Sequence, residues 1–220
     1  MGWFRLRPCS LSTMKFFDIH THIPSDDAIR SCTMKDVFSP GDKGFRSVGI
    51  HPWYLASAEE QFRWLEEAVH DVGVLAIGEC GLDKLAEWPM NRQLEIFERC
   101  ARLSESMHLP LVIHAVRCTE QLLAVKRAMK PEMPWVIHGF RGKAALATEY
   151  LKHGFYLSFG AKFQEDTLRQ IPIEKLLLET DDSDVSIQEV YQQTAKVRGM
   201  SVEKLAEDIE KNVQQVFFKP

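Results

Sequence analysis

The chain has 220 residues, of which 45% are hydrophobic and 26% are charged, and its formal net charge at pH 7 is −4. These values are ordinary for a globular protein with a sizeable core, although length alone allows either one α/β barrel or two small domains. The negative charge argues against a strongly basic surface that coats nucleic acid, but it permits a local basic patch beside a site.

The first 14 residues, MGWFRLRPCSLSTM, differ from the rest of the chain. They are basic, but they lack the sustained apolar centre and the small-residue cleavage pattern of a signal peptide. Two interpretations stay open: an atypical N-terminal extension, or a true translation start at Met14. In either case we assign the folded domain to residues 15–220.

Eight short apolar segments are predicted to be strands. They are residues 16–20, 28–32, 46–51, 74–81, 109–114, 134–140, 155–161 and 175–181. Their apolar residues run almost without interruption, which is typical of strands that are covered on both faces of a sheet.

Amphipathic segments alternate with these strands and predict helices over 57–71, 91–108, 119–129, 143–154, 187–199 and 201–218. Ser57 and Glu60 have the spacing of a capping box, and Gly154 and Gly199 are predicted to end two of the helices. Strands and helices that alternate without a linker predict a parallel sheet in one domain. Eight strands then predict an α/β fold, a TIM-like (β/α) barrel.

The segment between His22 and Arg46 is too short for a complete strand and helix unit. Its 23 residues are rich in Ser, Asp, Pro and Gly and show no helical pattern. We therefore expect the barrel to be eroded around its second strand, with a loop or a small hairpin in place of one unit.

The first strand carries the sequence DIHTH at its end. Because strand side chains alternate between faces, Asp18, His20 and His22 share one face. Two imidazoles two residues apart can chelate one cation, but an isolated H-x-H is more often a pair of hydrogen-bonded histidines.

Four further strands also end in potential ligands. These are Glu79, His114, His138 and Asp181. The carboxyl ends of barrel strands meet at one mouth, where barrel enzymes carry their active sites. Any one of these residues could be a satisfied polar group, but six together are costly to bury without a cation or a hydrogen-bond network.

Imidazole and carboxylate ligands without a thiolate suit Zn²⁺, Mn²⁺ or another divalent cation. Six ligands are more than one tetrahedral site can use. The simplest arrangement is two cations about 3.5–4 Å apart that are bridged by Glu79. Such a pair would activate water for attack on phosphorus or a carbonyl, and Asp181 could accept the proton of that water.

The motifs along the chain resemble those of the TatD-like metal-dependent hydrolases, within the amidohydrolase barrel superfamily. They are DIHTH, GIHPW, IGECGLD, LPLVIH, VIHGF, YLSFGA, LLLETD and NVQQVF, which extend from about Phe16 to Phe217. The resemblance implies a TIM-like barrel with a divalent metal centre (Zn, Mn or Mg), in which two ions are expected. It also implies phosphodiester hydrolysis, for which DNase or 3′-exonuclease is the usual description.

By position, the resemblance implies that His20 and His22 bind one metal ion. It implies that Glu79 bridges to a second ion, which His114 and His138 bind.

Asp181 corresponds to a further metal ligand and general base in the same family pattern. His51, in GIHPW, matches a motif near the family's site and is assigned to substrate binding, with simple packing at a strand end as the alternative. Arg117 is the candidate phosphate contact.

Three departures from the family pattern affect the substrate side of the site. The family reads His-x-Arg after the fifth strand, whereas HAVR places Arg117 one residue late, where a surface arginine is the alternative. After ETD, acidic Asp182 and Asp184 replace a loop that carries Arg, Asn and Pro. The unit around strand two is also reduced.

We expect a metal-dependent hydrolase that acts on DNA or a small phosphodiester. Ester or amide hydrolysis on a small or aminoacyl substrate, and a catalytically silent metal-binding barrel, are the alternatives. Binding of DNA would need cations at the mouth, for which the candidates are Lys84, Arg92, Arg117, Arg141 and Lys162. Five widely spaced cysteines suit a reducing compartment and predict a cytoplasmic protein. The lack of a long apolar run predicts no membrane span. Nothing in the sequence indicates an oligomer, so we expect a monomer.

Overall fold

The computed structural model describes residues 16–36 and 44–218. The predicted N-terminal extension, residues 1–14, lies outside the described residues. Within them, eight parallel strands form one sheet in which neighbours along the chain are neighbours in space. The strands are β1 (Asp18–Thr21), β2 (Ala28–Cys32), β3 (Phe45–Val48), β4 (Val74–Asp83), β5 (Leu111–Val116), β6 (Trp135–Ile137), β7 (Tyr156–Phe159) and β8 (Leu176–Leu178).

The first and last strands meet at a seam that closes the sheet into a nearly complete barrel. A single backbone bridge joins Thr21 to Asp181 across it. The amide of Asp181 donates to the carbonyl of His20 at 2.9 Å, and the amide of His22 donates to the carbonyl of Asp181 at 3.2 Å. The predicted TIM-like barrel is confirmed, and its seam brings two histidines beside an aspartate.

Seven helices cover the outside of the barrel in the described residues. They are α1 (Ala58–Ala68), α2 (Met90–Met107), α3 (Thr119–Met129), α4 (Ala144–Lys152), α5 (Glu165–Gln170), α6 (Ile187–Arg198) and α7 (Val202–Val213), with a 3₁₀ turn at Ile173–Lys175 and a π-helical turn at Gln214–Phe218. Six of them were predicted. Helix α5 was missed because six residues are too few to show a helical period of apolar side chains.

The capping box predicted at the start of α1 is wrong. Ser57 makes no side-chain capping hydrogen bond; its hydroxyl lies 3.3 Å from Nε2 of Gln61, which donates to it. A complete capping box occurs at the start of α6 instead, where Ser186 and Glu189 each bond the backbone amide of the other. Spacing alone therefore did not identify which serine adopts the extended backbone that a cap requires.

The predicted erosion around the second strand is confirmed. Residues 22–27 connect β1 to β2 without a helix. After β2 the chain turns at Asp36, whose carboxylate accepts from the amide of Thr33 and from Arg30, both at 2.8 Å. The rest of this connection, residues 37–43, lies outside the described residues.

The core consists of the buried strands and the inner faces of the helices. Trp135 on β6 is fully buried, and its ring packs edge-on against Phe97 and Phe155, with centroids 5.5 and 5.8 Å away. No helix in residues 16–36 and 44–218 has the length and apolar character needed to cross a bilayer.

Gly81 is required where β4 passes β5 next to the mouth. Its φ is 157°, and a Cβ at this position would overlap the backbone carbonyl oxygen of His114. We expect Gly81→Ala to lower the free energy of unfolding by about 3 kcal/mol or more, because backbone atoms of β5 must move. Chemical denaturation of both proteins measures this difference.

Gly154→Ala is the matched control for that substitution. Gly154 also has a positive φ of 77°, but no atom lies within 4 Å of the position of its Cβ. Only the conformational cost remains, about 1 kcal/mol. Equal losses in the two variants would contradict the steric explanation.

Candidate metal centre

All of the side chains predicted as ligands converge at the C-terminal mouth of the barrel. They are His20 in β1, His22 just after β1, Glu79 in β4, His114 in β5, His138 just after β6 and Asp181 just after β8. The strand ends position them because parallel strands in a closed sheet end on the same side. The spatial arrangement expected from the sequence is therefore present.

The carboxylate of Glu79 lies at the centre of this cluster, and its first oxygen faces three imidazoles. Oε1 lies 2.9 Å from Nδ1 of His114, 2.9 Å from Nε2 of His138 and 3.0 Å from Nε2 of His51. Three ring nitrogens thus surround one oxygen at hydrogen-bonding distance.

The second oxygen of Glu79 faces the other side of the cluster. Oε2 lies 3.5 Å from Nε2 of His20 and 3.9 Å from Nε2 of His22. Oδ1 of Asp181 completes this side, 3.6 Å from Nε2 of His20 and 3.5 Å from Nε2 of His22. The two oxygens of one carboxylate therefore face two different sets of histidines.

Charge in the cluster is balanced between carboxylates and imidazoles. Burial favours protonated Glu79, but the charge of His138 and the hydrogen bond from His114 outweigh it, so the pKa of Glu79 lies well below its usual value. Burial and His138 favour neutral His20, yet the carboxylates of Asp181 and Glu79 prevail and raise the pKa of His20 to about 9. Burial is likewise outweighed at His138, whose pKa is raised well above normal by the charge of Glu79.

The distances around His20 fit a shared cation. Its Nε2 is fully buried and has no hydrogen-bond partner among the described residues. Ligands roughly 2.1 Å from a tetrahedral ion lie roughly 3.4 Å from each other, close to the distances from this nitrogen to Glu79 and Asp181. Three groups bring ligand atoms within 4.8 Å of one another: His20, His138 and Asp181; His20, His22 and Glu79; and His51, Glu79 and His114. These donors fit a divalent cation of the zinc or manganese type.

Two buried carboxylates orient the histidines from behind. Oδ2 of Asp83 lies 3.2 Å from Nε2 of His114, which turns Nδ1 of that ring toward the centre. Oε1 of Glu179 accepts from the amide of Gly139 at 2.6 Å and lies 3.5 Å from Nδ1 of His138. Such outer carboxylates are common behind metal-binding histidines.

Glu179 was missed by the sequence reasoning. The spacing in the sequence could have indicated it, because residues two positions apart at the end of a strand share a face. Glu179 and Asp181 have this spacing, as His20 and His22 do. Asp18 shares its predicted face with His20, but its carboxylate accepts from the hydroxyl of Thr180 at 2.6 Å and braces the seam.

His51 and Arg117, the candidate substrate contacts, have different surroundings. Nδ1 of His51 accepts from the amide of Trp53 at 3.2 Å, so the neutral ring carries its proton on Nε2, which faces Glu79. Burial is the main cause that lowers the pKa of His51 and favours this neutral form. Arg117 is exposed just after β5, in a left-handed backbone conformation with φ of 53°, and lines neither of the two cavities at the mouth.

Two cavities open at the mouth. One, of about 210 Å³, lies over the cluster and is bordered by His22, His114, Trp53 and Tyr54. The other, of about 350 Å³, lies beside Asp181, and its charged lining residues include Arg141, Lys162, Asp182 and Asp184.

Two of the five cations considered for DNA binding, Arg141 and Lys162, therefore line a cavity at the mouth. Arg92 instead lies on α2 and pairs with Glu95 at 2.7 Å.

Comparison with known proteins gives the family. The sequence profile described as "TatD related DNase" matches residues 27–218. This chain belongs to that family.

Two relatives and one solved structure are also similar to this TatD family member. The uncharacterized metal-dependent hydrolase YabD of Bacillus subtilis is 29% identical over 198 residues, covering 79% of this chain and 77% of the relative. Deoxyribonuclease Tat-D of Schizosaccharomyces pombe is 30% identical over 177 residues, covering 71% of this chain and 55% of the relative. The crystal structure of the TatD homologue YjjV from Escherichia coli aligns with a TM-score of 0.81 at 21% identity, covering 94% of this chain and all of that one, which shows the shared fold.

We expect metal binding by this TatD family member to release protons. The raised pKa of His20, about 9, and the raised pKa of His138 favour protonated rings at pH 7 in the metal-free protein. A cation needs neutral imidazole, so about two protons should leave on binding, and affinity should fall as pH drops from 8 to 6.

Calorimetric titration with Mn²⁺ in buffers of different ionisation enthalpy counts these protons. His153→Ala, which removes a histidine at the end of α4, is the control and should release the same number. Binding without proton release at pH 7 would contradict the charge assignment.

Proposed function

We propose that this protein is a metal-dependent phosphodiesterase that cleaves nucleic acid, with DNA as the first substrate to test. One observation carries the proposal: the two oxygens of Glu79 face two separate sets of imidazoles at the barrel mouth. That arrangement supports a carboxylate that bridges two cations. The Schizosaccharomyces pombe relative is named a deoxyribonuclease, which supports the choice of substrate.

Each cation would have its own set of residues. His20, His22 and Asp181 would hold one cation, together with one oxygen of Glu79. The second oxygen of Glu79 would hold the other, together with His114 and His138. Bound divalent cations would supply Lewis-acid polarisation of a phosphoryl oxygen and would lower the pKa of a water molecule.

Asp181 is the proposed general base. Its side chain is 22% exposed, whereas that of Glu79 is 9% exposed, so Asp181 is the more accessible to water from the mouth. Burial favours its protonated form, but His20 and His22 outweigh it and hold the pKa of Asp181 well below normal, which keeps the carboxylate ionised. Its left-handed backbone, with φ of 58°, is fixed by the bridge to β1, so the carboxylate is held in place for proton transfer.

The residues around the second cavity would bind the charged part of the substrate. Arg141 and Lys162 offer two positive charges to phosphate groups beside Asp181. His51 would keep the neutral form and donate its Nε2 proton toward Glu79, which fixes the orientation of that carboxylate.

A second function, hydrolysis of a small ester or amide, is favoured by one observation. Asp182 and Asp184 lie in the same cavity as the two cations. Their negative charge opposes a polyanion and would suit a substrate with an amino group. The same water activation would serve both reactions.

A substrate panel on the purified protein separates these functions. Single-stranded and duplex DNA, RNA, bis(p-nitrophenyl) phosphate and an aminoacyl ester are incubated with added Mn²⁺, and each reaction is repeated with excess chelator. We expect chelator-sensitive cleavage of a phosphodiester. Cleavage of the aminoacyl ester alone would support the second function, and chelator-insensitive cleavage would contradict both.

A further inference from the structure

Exposed hydrophobic side chains are concentrated around the metal centre. Six large hydrophobic residues are exposed in the described part of the chain: Ile23, Trp53, Tyr54, Val72, Leu85 and Phe218. Two of them, Trp53 and Tyr54, line the cavity over the cluster, and Ile23 and Leu85 lie one and two positions along the chain from His22 and Asp83. Single exposed apolar residues need no explanation, but a group beside a candidate site indicates a binding surface.

Trp53 is exposed and yet held in one orientation. Its side chain is 53% exposed, while its Nε1 donates to Oδ2 of Asp83 at 2.7 Å. The indole meets the rings of His51 and His114 edge-on, with centroids 5.0 and 5.9 Å away. A flat ring that is fixed from behind and open in front loses little conformational entropy when a ligand stacks on it.

Tyr54 extends this surface away from the cluster. Its side chain is 57% exposed, and its ring centroid lies 6.5 Å from that of Trp53. The amide of Tyr54 donates to the carbonyl of His51 at 3.0 Å, which ties the backbone to the site. Both aromatic residues line the 210 Å³ cavity that also contains Glu79 and Asp181.

The opposite side of the mouth has the complementary chemistry. Arg141, Lys162 and the acidic residues follow β6, β7 and β8, whereas Trp53 and Tyr54 follow β3. A nucleotide has a flat apolar base and a charged phosphate, so an aromatic wall facing a cationic cavity across a metal centre matches both of its parts.

We propose that Trp53 and Tyr54 form a platform on which a base of the bound strand stacks, an inference that rests on the proposed function. A base inside a duplex has both faces covered by its neighbours, so it cannot stack on a protein ring unless it is unpaired and unstacked. The platform would therefore admit a single strand or a frayed end and position the adjacent phosphodiester at the metal centre.

Equilibrium binding tests the platform without cleavage. A fluorescent ten-nucleotide single strand is titrated with Mn²⁺-loaded protein in the Asp181→Asn background, and anisotropy gives the Kd. Trp53→Ala and Tyr54→Ala should each raise Kd by roughly tenfold or more, because a stacked base is lost. Val72→Ala, a distant exposed apolar residue, should leave Kd unchanged.

A second comparison separates stacking from support of the metal centre. Trp53→Phe keeps a ring but loses the donor to Asp83. Stacking predicts that Trp53→Phe retains most of the affinity for the strand. A role through Asp83 and His114 predicts that Trp53→Phe loses as much affinity as Trp53→Ala and that both variants bind less metal. The second result would overturn the platform.

An abasic strand gives the final arm of the test. Bases are removed from the nucleotides at one end of the same strand. The parent protein should bind this strand as weakly as the double variant Trp53→Ala/Tyr54→Ala binds the normal strand, and the double variant should not distinguish the two strands. Equal Kd values for parent and alanine variants, or no binding of the strand by the parent, would overturn the inference. Absence of phosphodiester cleavage by the wild type would instead count against the proposed function, while these Kd values still decide the platform.

Discussion

Replacing Glu79 with glutamine is expected to lower metal-dependent turnover by roughly a thousandfold or more, because the proposed bridging ligand would contribute several kcal/mol of charge stabilisation. The amide of glutamine is neutral and is a poor ligand for a divalent cation. It also leaves His20 and His138 without the carboxylate that balances their charge. Metal content should therefore fall together with activity.

Elemental analysis and turnover of the same preparations measure the effect of Glu79→Gln. Glu149→Gln is the matched control, since Glu149 is a partly exposed carboxylate on α4, where it lies beside His153. We expect the control to keep metal and activity. If Glu79→Gln bound metal and turned over like the wild type, Glu79 could not be a ligand of the metal centre.

Asp181→Asn is expected to separate turnover from folding. Asparagine has nearly the same shape and can keep the backbone bridge to β1, but it cannot accept the proton of an attacking water. General bases contribute on the order of 10² to 10⁴ in rate, so we expect kcat to fall by about a thousandfold at saturating Mn²⁺. Single-turnover kinetics on a short single strand give this rate.

The neighbouring residue supplies the control for Asp181→Asn. Asp182 is exposed and borders both cavities, so Asp182→Asn removes the same charge at the same mouth. It should change kcat by less than about threefold, as expected for a surface charge screened by solvent. If Asp181→Asn kept the wild-type rate at saturating metal, another group would have to be the base.

The sequence was sufficient to predict the barrel and the six side chains that meet at its mouth. Each candidate ligand follows an apolar run, and the closed parallel sheet brings all such strand ends together, so chain position implied spatial position. The reduced unit after His22 could be predicted from length, since 23 residues cannot hold a strand and its helices.

The contacts behind the ligands could not be predicted in the same way. Trp53 donates to Asp83, 30 positions away, and Thr180 to Asp18, 162 positions away. Such pairs depend on register and side-chain rotamer, which an apolar pattern does not specify. The exposed orientation of Trp53 and its hydrogen bond to Asp83 therefore could not be predicted from the sequence.

Anomalous X-ray diffraction from crystals of the Mn²⁺-loaded protein tests whether these residues form one cation-binding centre. We predict anomalous peaks at the barrel mouth, at coordinating distance from His20, Glu79, His138 and Asp181, with Glu79 contacting two of them. Manganese bound only elsewhere on the molecule, with these four side chains unliganded, would contradict the metal centre and the hydrolytic function that depends on it.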